Sequence, residues 1–312
     1  MLTGVRPTAD LTVANYVGGV KPFLELQGKA TRAFVFVADL HALPDHEPEV
    51  VKKYSRAVVL DYLALGLDPD VTTIYLQSAI GEALGLLTML LARHLTVAEL
   101  LRVPTLKDKV KGKPEHANAA LFLYPVLMAS DILIQRARRV PVGEDQVAHL
   151  ELARRLARAF NEAYGSVFPV PAVHQMKTMR ILSLKGEGKM SKSVPAGAVF
   201  LTDAAKTIAQ KIQAAETATE GVMTPSLESH AALARELAPD AAAKAEIERI
   251  IDAHLAGKRV MGDFKALFTR FLTEFTAAFQ ERRADIARDA RRVDDVLEAG
   301  ARAARTGAEA TL

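Results

Sequence analysis

Residues 33–41 read Ala33-Phe34-Val35-Phe36-Val37-Ala38-Asp39-Leu40-His41. An unbroken apolar run with two valines and two phenylalanines is the pattern of a strand covered on both faces. The polar Asp39 and His41 mark where it ends. Moving outward, a helical pattern spans Glu47 to Leu65 and stops at Gly66 and Pro69. Thr73-Ile74-Tyr75-Leu76 reads as a second strand, and another helix follows from Gly81 to His94. Strand, helix, strand, helix without a hairpin signal requires parallel crossovers, hence a doubly wound α/β sheet. In such sheets the loops after the strands carry the chemistry.

From about Thr202 the pattern is helical only. Phe264, Leu267, Phe268, Phe271, Leu272, Phe275 and Phe279 recur every three or four residues and mark one apolar helix face. Residues 281–312 mix seven Arg with seven acids and read as a solvated helical surface. The chain has 312 residues, which suggests two domains. We expect an α/β domain at residues 1–200 and a helical one at 201–312. With 40 basic and 37 acidic residues, net charge by itself does not argue for a nucleic-acid partner. There is no cysteine, which excludes disulfides and thiolate metal sites. No apolar run is long enough to cross a bilayer and the first residues lack a signal-peptide pattern, so a soluble, cytoplasmic protein is expected, with no membrane partner.

The strongest chemical signal is Lys189-Met190-Ser191-Lys192-Ser193, bounded by Gly186 and Gly188 before and by Pro195 and Gly197 after. Two mobile ammonium groups, with hydroxyls and backbone amides between them, suit a polyphosphate. A lysine-rich surface loop is the plain alternative. Thr12-Val13-Ala14-Asn15 reads by itself as the start of an amphipathic helix. Tyr124, Met128 and Asp131 lie four and three residues apart on an apolar helix, so they share a face. A carboxylate in such company is costly unless it accepts a hydrogen bond, and indole nitrogen is a donor only. Alternatively, Asp131 faces water or is matched to Arg136 or Arg138. Val140-Pro141-Val142-Gly143-Glu144-Asp145-Gln146 then gives a short strand, a glycine and a helix start. Its polar residues either cap that helix or converge on a ligand.

Taken together these stretches resemble the tryptophanyl-tRNA synthetase family, of bacterial type, within the class I aminoacyl-tRNA synthetases. Lys189–Ser193 matches the KMSKS signature of that class in full. Thr12–Asn15 stands where the class carries its His-Ile-Gly-His-like tetrad. Met128–Leu133, Val140–Gln146 and His149–Leu152 look specifically tryptophanyl, and the likeness runs from Thr3 to Leu312. It implies a Rossmann-like doubly wound parallel sheet with an appended C-terminal helical domain, which receives the anticodon. It implies tryptophan activation with ATP and Mg²⁺, transfer to tRNA(Trp), a homodimer, and no protein-bound metal. Residue by residue, it implies that Lys189, Ser191, Lys192 and Lys109 act on the phosphates. Arg6, Thr12, Asn15, Gly143, Asp145, Met190 and Ser193 complete the ATP site. His41, Tyr124, Met128, Asp131, Ile132, Val140, Val142 and Gln146 form the tryptophan site, with Asp131 accepting the indole N–H. The chain departs from the family pattern at Ala9 and Ala14, which replace glycines, and at Val194, which replaces an acid. These departures keep a second reading open: a catalytically impaired paralogue that binds tryptophan or tRNA.

Overall fold

The computed structural model describes residues 1–104, 106–107, 118–143, 146–175, 179–186 and 188–312. The chain begins with β1 (Leu2–Val5), then α1 (Val13–Asn15), a π-helical stretch Tyr16–Val20, and α2 (Lys21–Gln27). β2 (Ala33–Val37), α3 (Pro48–Ala64), β3 (Thr72–Leu76), α4 (Gly81–Ala92) and α5 (Val97–Leu100) follow. Next come α6 (Ala119–Ile134), β4 (Arg139–Val142), α7 (Val147–Tyr164) and β5 (Ala172–Gln175). The remainder is helical: α8 (Ala205–Gln213), α9 (Pro225–Leu237), α10 (Ala241–Leu255), α11 (Met261–Arg288) and α12 (Arg292–Glu309).

Among the described residues, every ladder between the named strands is parallel. β2 pairs with β1 from Leu2↔Phe34 to Val5↔Val37 and with β3 from Ala33↔Thr72 to Val37↔Leu76. β4 pairs with β5 from Arg139↔Ala172 to Val142↔Gln175, and β4 lies beside β1. With β4 beside β1, the order β3-β2-β1-β4-β5 follows the doubly wound Rossmann order, and its reversal of direction falls between β1 and β4. All five residues of β2 are buried, as the apolar run requires. The fold is therefore the Rossmann-like one, with a helical region after it.

Two compact contact units make up the chain. The first comprises Met1–Thr8, Phe23–Lys177 and Asp289–Leu312, and the second Ala9–Pro22 and Thr178–Arg288. In the second, Phe264, Leu267, Phe268, Phe271, Leu272 and Phe279 of α11 are buried. Half-buried Phe275 packs on Tyr16, with ring centroids 4.7 Å apart.

The first unit holds a correction to the sequence reading. α12 is no solvated surface: Val293, Val296, Gly300, Ala304 and Ala308 form a buried stripe that packs on β3. At Gly300 the approach is so close that a Cβ would stand 1.7 Å from the Ile74 carbonyl oxygen. Polar ties flank this seam. Arg56 pairs with Asp294, Arg305 Nε donates to the Ala79 carbonyl at 2.9 Å, and Gln135 Nε2 donates to the Ala304 carbonyl at 2.9 Å. The stripe is built from small residues, so it carries little hydrophobic signal in sequence although it seats a helix on a strand. No helix among the described residues is long and apolar enough to cross a membrane.

Candidate active site

In the first unit, the residues after β2 and β3 meet the last turn of α6. Asp131 is fully buried there. Its Oδ2 is 2.9 Å from His41 Nε2, and Gln77 Nε2 donates to Oδ1 at 2.8 Å and to Oδ2 at 3.0 Å. Gln77 Oε1 in turn accepts from the backbone N–H of His41 at 3.3 Å. Burial pushes the Asp131 carboxyl above the ordinary aspartate range, the His41 and Gln77 hydrogen bonds oppose that, and the charge of Asp39 adds to it. A carboxylate offers about four lone-pair sites, and these three bonds leave one for a further donor. Of the two residue-level alternatives, solvent exposure and pairing with Arg136 or Arg138, the structure supports neither.

Around this carboxylate, Met128 and Tyr124 are half-buried one and two helix turns back along α6, and Ile132 is buried. The Tyr124 ring meets buried His149 edge-on, with centroids 5.4 Å apart. Val140 is buried in β4, and Val142 ends that strand. Gly143 accepts the Gln146 backbone N–H at 3.0 Å, which opens α7. Arg6, just past β1, is exposed and paired with Asp45 at 2.8 Å. Lys109 and Asp145 lie outside the described residues.

In the second unit, the stretch that follows the lysine loop is joined to the Thr12 segment by backbone. Val13 N–H donates to Val199 O at 3.0 Å and Leu201 N–H to Leu11 O at 2.9 Å. The lysine loop begins on the returning arm of a hairpin: Leu182 bridges Lys189, and Met190 N–H donates to Ile181 O at 2.8 Å. The hairpin turns at Gly186 and Gly188, with φ of 80° and 68°, a left-handed backbone that glycine adopts without strain. Met190 is buried and anchors the loop, while Lys189 and Ser193 are exposed and Ser191 is half-buried. Lys192 Nζ donates to the Ala9 carbonyl at 2.7 Å. Thr12 and Asn15 form a capping box that starts α1. The Asn15 carboxamide oxygen is used by that cap, so its NH₂ is the group available to a ligand. Among the described residues no group of three or more His, Cys, Asp or Glu could hold a metal ion.

The family described as "tRNA synthetases class I (W and Y)" matches residues 1–276. The chain is 35% identical over 322 residues to the tryptophan–tRNA ligase of Porphyromonas gingivalis, covering 100% of this chain and 96% of that one. The chain belongs to the tryptophanyl-tRNA synthetase family. It is also 37% identical over 334 residues to the Caulobacter vibrioides tryptophan–tRNA ligase, covering 100% of this chain and 92% of that relative. Among solved structures it is similar to the Campylobacter jejuni tryptophanyl-tRNA synthetase complexed with ADP and tryptophan. That match has a TM-score of 0.83 at 28% identity and covers 99% of this chain and 96% of the other.

Within this synthetase, one site residue escaped the sequence reading. Gln77 is fully buried and holds both Asp131 and the backbone of His41. Its place directly after the β3 run was the available signal, since side chains at strand ends face the ligand in this fold.

Proposed function

We infer that this synthetase is a tryptophan–tRNA ligase, activating tryptophan with ATP and passing the aminoacyl group to tRNA. The observation that carries this reading is its near end-to-end relationship to tryptophan–tRNA ligases. The tryptophan carboxylate attacks the α-phosphorus of ATP, which enters as its Mg²⁺ complex. The new bond joins a carboxylate oxygen to phosphorus, and the bond from phosphorus to the bridging oxygen breaks, releasing pyrophosphate. No side chain serves as nucleophile, so positioning and charge stabilisation supply the rate.

Asp131 accepts the indole N–H, held for that task by His41 and Gln77. Met128, Ile132, Val140 and Val142 wall the pocket, and Tyr124 and Gln146 hold the amino-acid backbone. Lys189, Lys192, Lys109 and the Ser191 hydroxyl take the phosphate charge. Thr12, Asn15, Gly143, Asp145, Met190 and Ser193 position the nucleotide. Arg6 joins them by exchanging Asp45 for phosphate, and an exposed pair of this kind is worth only about 0–1 kcal/mol. The α/β part, residues 1–200, does this chemistry, and the helices of 201–312 receive the anticodon of tRNA(Trp). With ATP and tRNA as partners, the enzyme works in the cytoplasm.

A homodimer is part of the same reading. Leu86, Met89 and Leu90 share one face of α4 and are exposed, as are Val97 and Leu123; Met89 is 68% and Val97 65% exposed. Exposed apolar side chains grouped on one helix face are suited to cover by a partner. Light scattering at micromolar protein should return twice the chain mass, and a monomer mass removes the dimer.

Pyrophosphate exchange into ATP tests the activity itself and should require tryptophan. Ala14 is buried in α1, and Ala9 supplies the carbonyl that Lys192 holds. Overpacking by one methyl costs roughly 1–3 kcal/mol, so Ala14→Gly, alone or with Ala9→Gly, should lower the half-saturating ATP concentration about fivefold or more. Tryptophan affinity without ATP should not change. If the parent and both variants bind tryptophan yet exchange nothing, the binding-module reading replaces the enzyme. The comparisons give that rival no support.

A further inference from the structure

At the opposite end of the strands from His41 and Gly143 lies an open cavity of about 540 Å³. It is lined by the residues leading into β1, β2 and β4, and five of them are cationic: Lys29, Arg32, Arg136, Arg138 and Arg139. Among the described residues no aspartate or glutamate lines it. None of the five forms an ion pair among those residues either. These five charges exceed the formal net charge of the whole chain, +3. Elsewhere the same chain does pair its cations: Arg56 with Asp294, Arg235 with Glu248, and Lys211 with Asp203.

The end of α6 accounts for part of this clustering, because cations favour the negative end of a helix dipole. That explanation does not reach Lys29 and Arg32, which come from the α2–β2 connection. Nor does it explain Arg136. Arg136 N–H donates to Leu133 O and Ala137 N–H to Ile132 O, the pattern that ends a helix on a left-handed residue. That left-handed residue is Arg136 itself, at φ 49°, where glycine is the unstrained choice. A backbone outlier that carries a charge into an uncompensated cluster of like charges points to a ligand that compensates it.

We propose that this cavity binds a small, multiply charged phosphate, with Arg32, Arg136 and Arg139 as its principal partners. Guanidinium groups pair with phosphate oxygens two at a time, and a cavity of this volume admits a small molecule. A strand of four residues separates the cavity from the residues beyond the other end of β4 by on the order of 13 Å, so one bound phosphate chain does not serve both ends.

Calorimetric titration with inorganic triphosphate, and separately with pyrophosphate, tests this at fixed salt. Lys189→Ala/Lys192→Ala serves as the background, so that the lysine loop does not contribute. One equivalent should bind on that background. Adding Arg32→Gln/Arg139→Gln should weaken it about tenfold or more, since each charge-assisted bond lost is worth roughly a tenfold factor. Arg136→Gly should weaken it as well while raising the unfolding midpoint, because glycine relieves the left-handed strain. In the otherwise parental protein, Arg32→Gln/Arg139→Gln should leave tryptophan-dependent pyrophosphate exchange unchanged, which also reports intact folding. Absence of binding on the background, or binding that survives these substitutions, overturns the proposal. Loss of tRNA affinity without any phosphate binding overturns it in favour of a nucleic-acid surface.

Discussion

Replacing Lys192 by alanine is expected to slow adenylate formation by on the order of 10²–10³ while leaving tryptophan affinity unchanged. The size follows from what one well-placed donor contributes to a developing anionic centre. The selectivity follows from timing: the lysine meets its partner only as charge builds on the phosphate, so its loss appears in the rate and not in ground-state binding of the amino acid. In the free protein, Lys192 Nζ is occupied by the Ala9 carbonyl. That bond holds the ammonium on the segment that leads into Thr12, and ATP must take it over. The measurement is single-turnover adenylate formation at saturating tryptophan, with Lys189→Ala beside it. Lys189 is exposed and its side chain makes no comparable tie among the described residues, so its replacement should leave the hairpin intact. Rates equal to the parent in both variants would reduce the loop to a surface feature.

Removing the Asp131 carboxylate should weaken tryptophan binding by about 2 kcal/mol or more, over tenfold. Asp131→Ala also strands the buried donor Gln77 Nε2 and the partly buried His41 Nε2, so the variant should be less stable as well as a poorer binder. A ligand-side experiment separates the two effects. Tryptophan methylated on the indole nitrogen cannot donate there; the parent should discriminate strongly against it, and Asp131→Ala should not. Calorimetric titration without ATP gives both numbers. If the parent binds the two ligands equally, Asp131 is not the indole acceptor, whatever the variant's stability.

How much of this was legible in the sequence depends on the kind of signal. β2 was plain because a strand buried on both faces leaves an unbroken apolar run, and the lysine loop stood out through its full match to a class signature, since lysines and glycines alone suit a surface loop equally well. Asp131 stood out as a carboxylate on an apolar helix, but the residues alone could not choose between water, arginine and ligand. Its true neighbours, His41 and Gln77, lie 90 and 54 positions away, and no local pattern encodes such a meeting. Gln77 is a single polar residue after a strand. Thr12 and Asn15 show the converse: a residue pair singled out for ATP also satisfies the helix start, so its identity is doubly determined. The seating of α12 was missed because the helix is polar on average, while its narrow buried stripe of valine, glycine and alanine carries little apolar signal.

That seating has a consequence for how the protein is made. The Ile74 face of β3, laid down in the first quarter of the chain, is covered by Gly300 and its neighbours. Contacts so distant in sequence form slowly, because a long loop must close before any of them is gained. During synthesis at about 5–20 residues per second, the sheet therefore waits roughly 11–45 seconds after Ile74 for its covering helix. For that interval a nascent strand carries an open apolar face, and the molecule is at its most prone to association with other chains or chaperones.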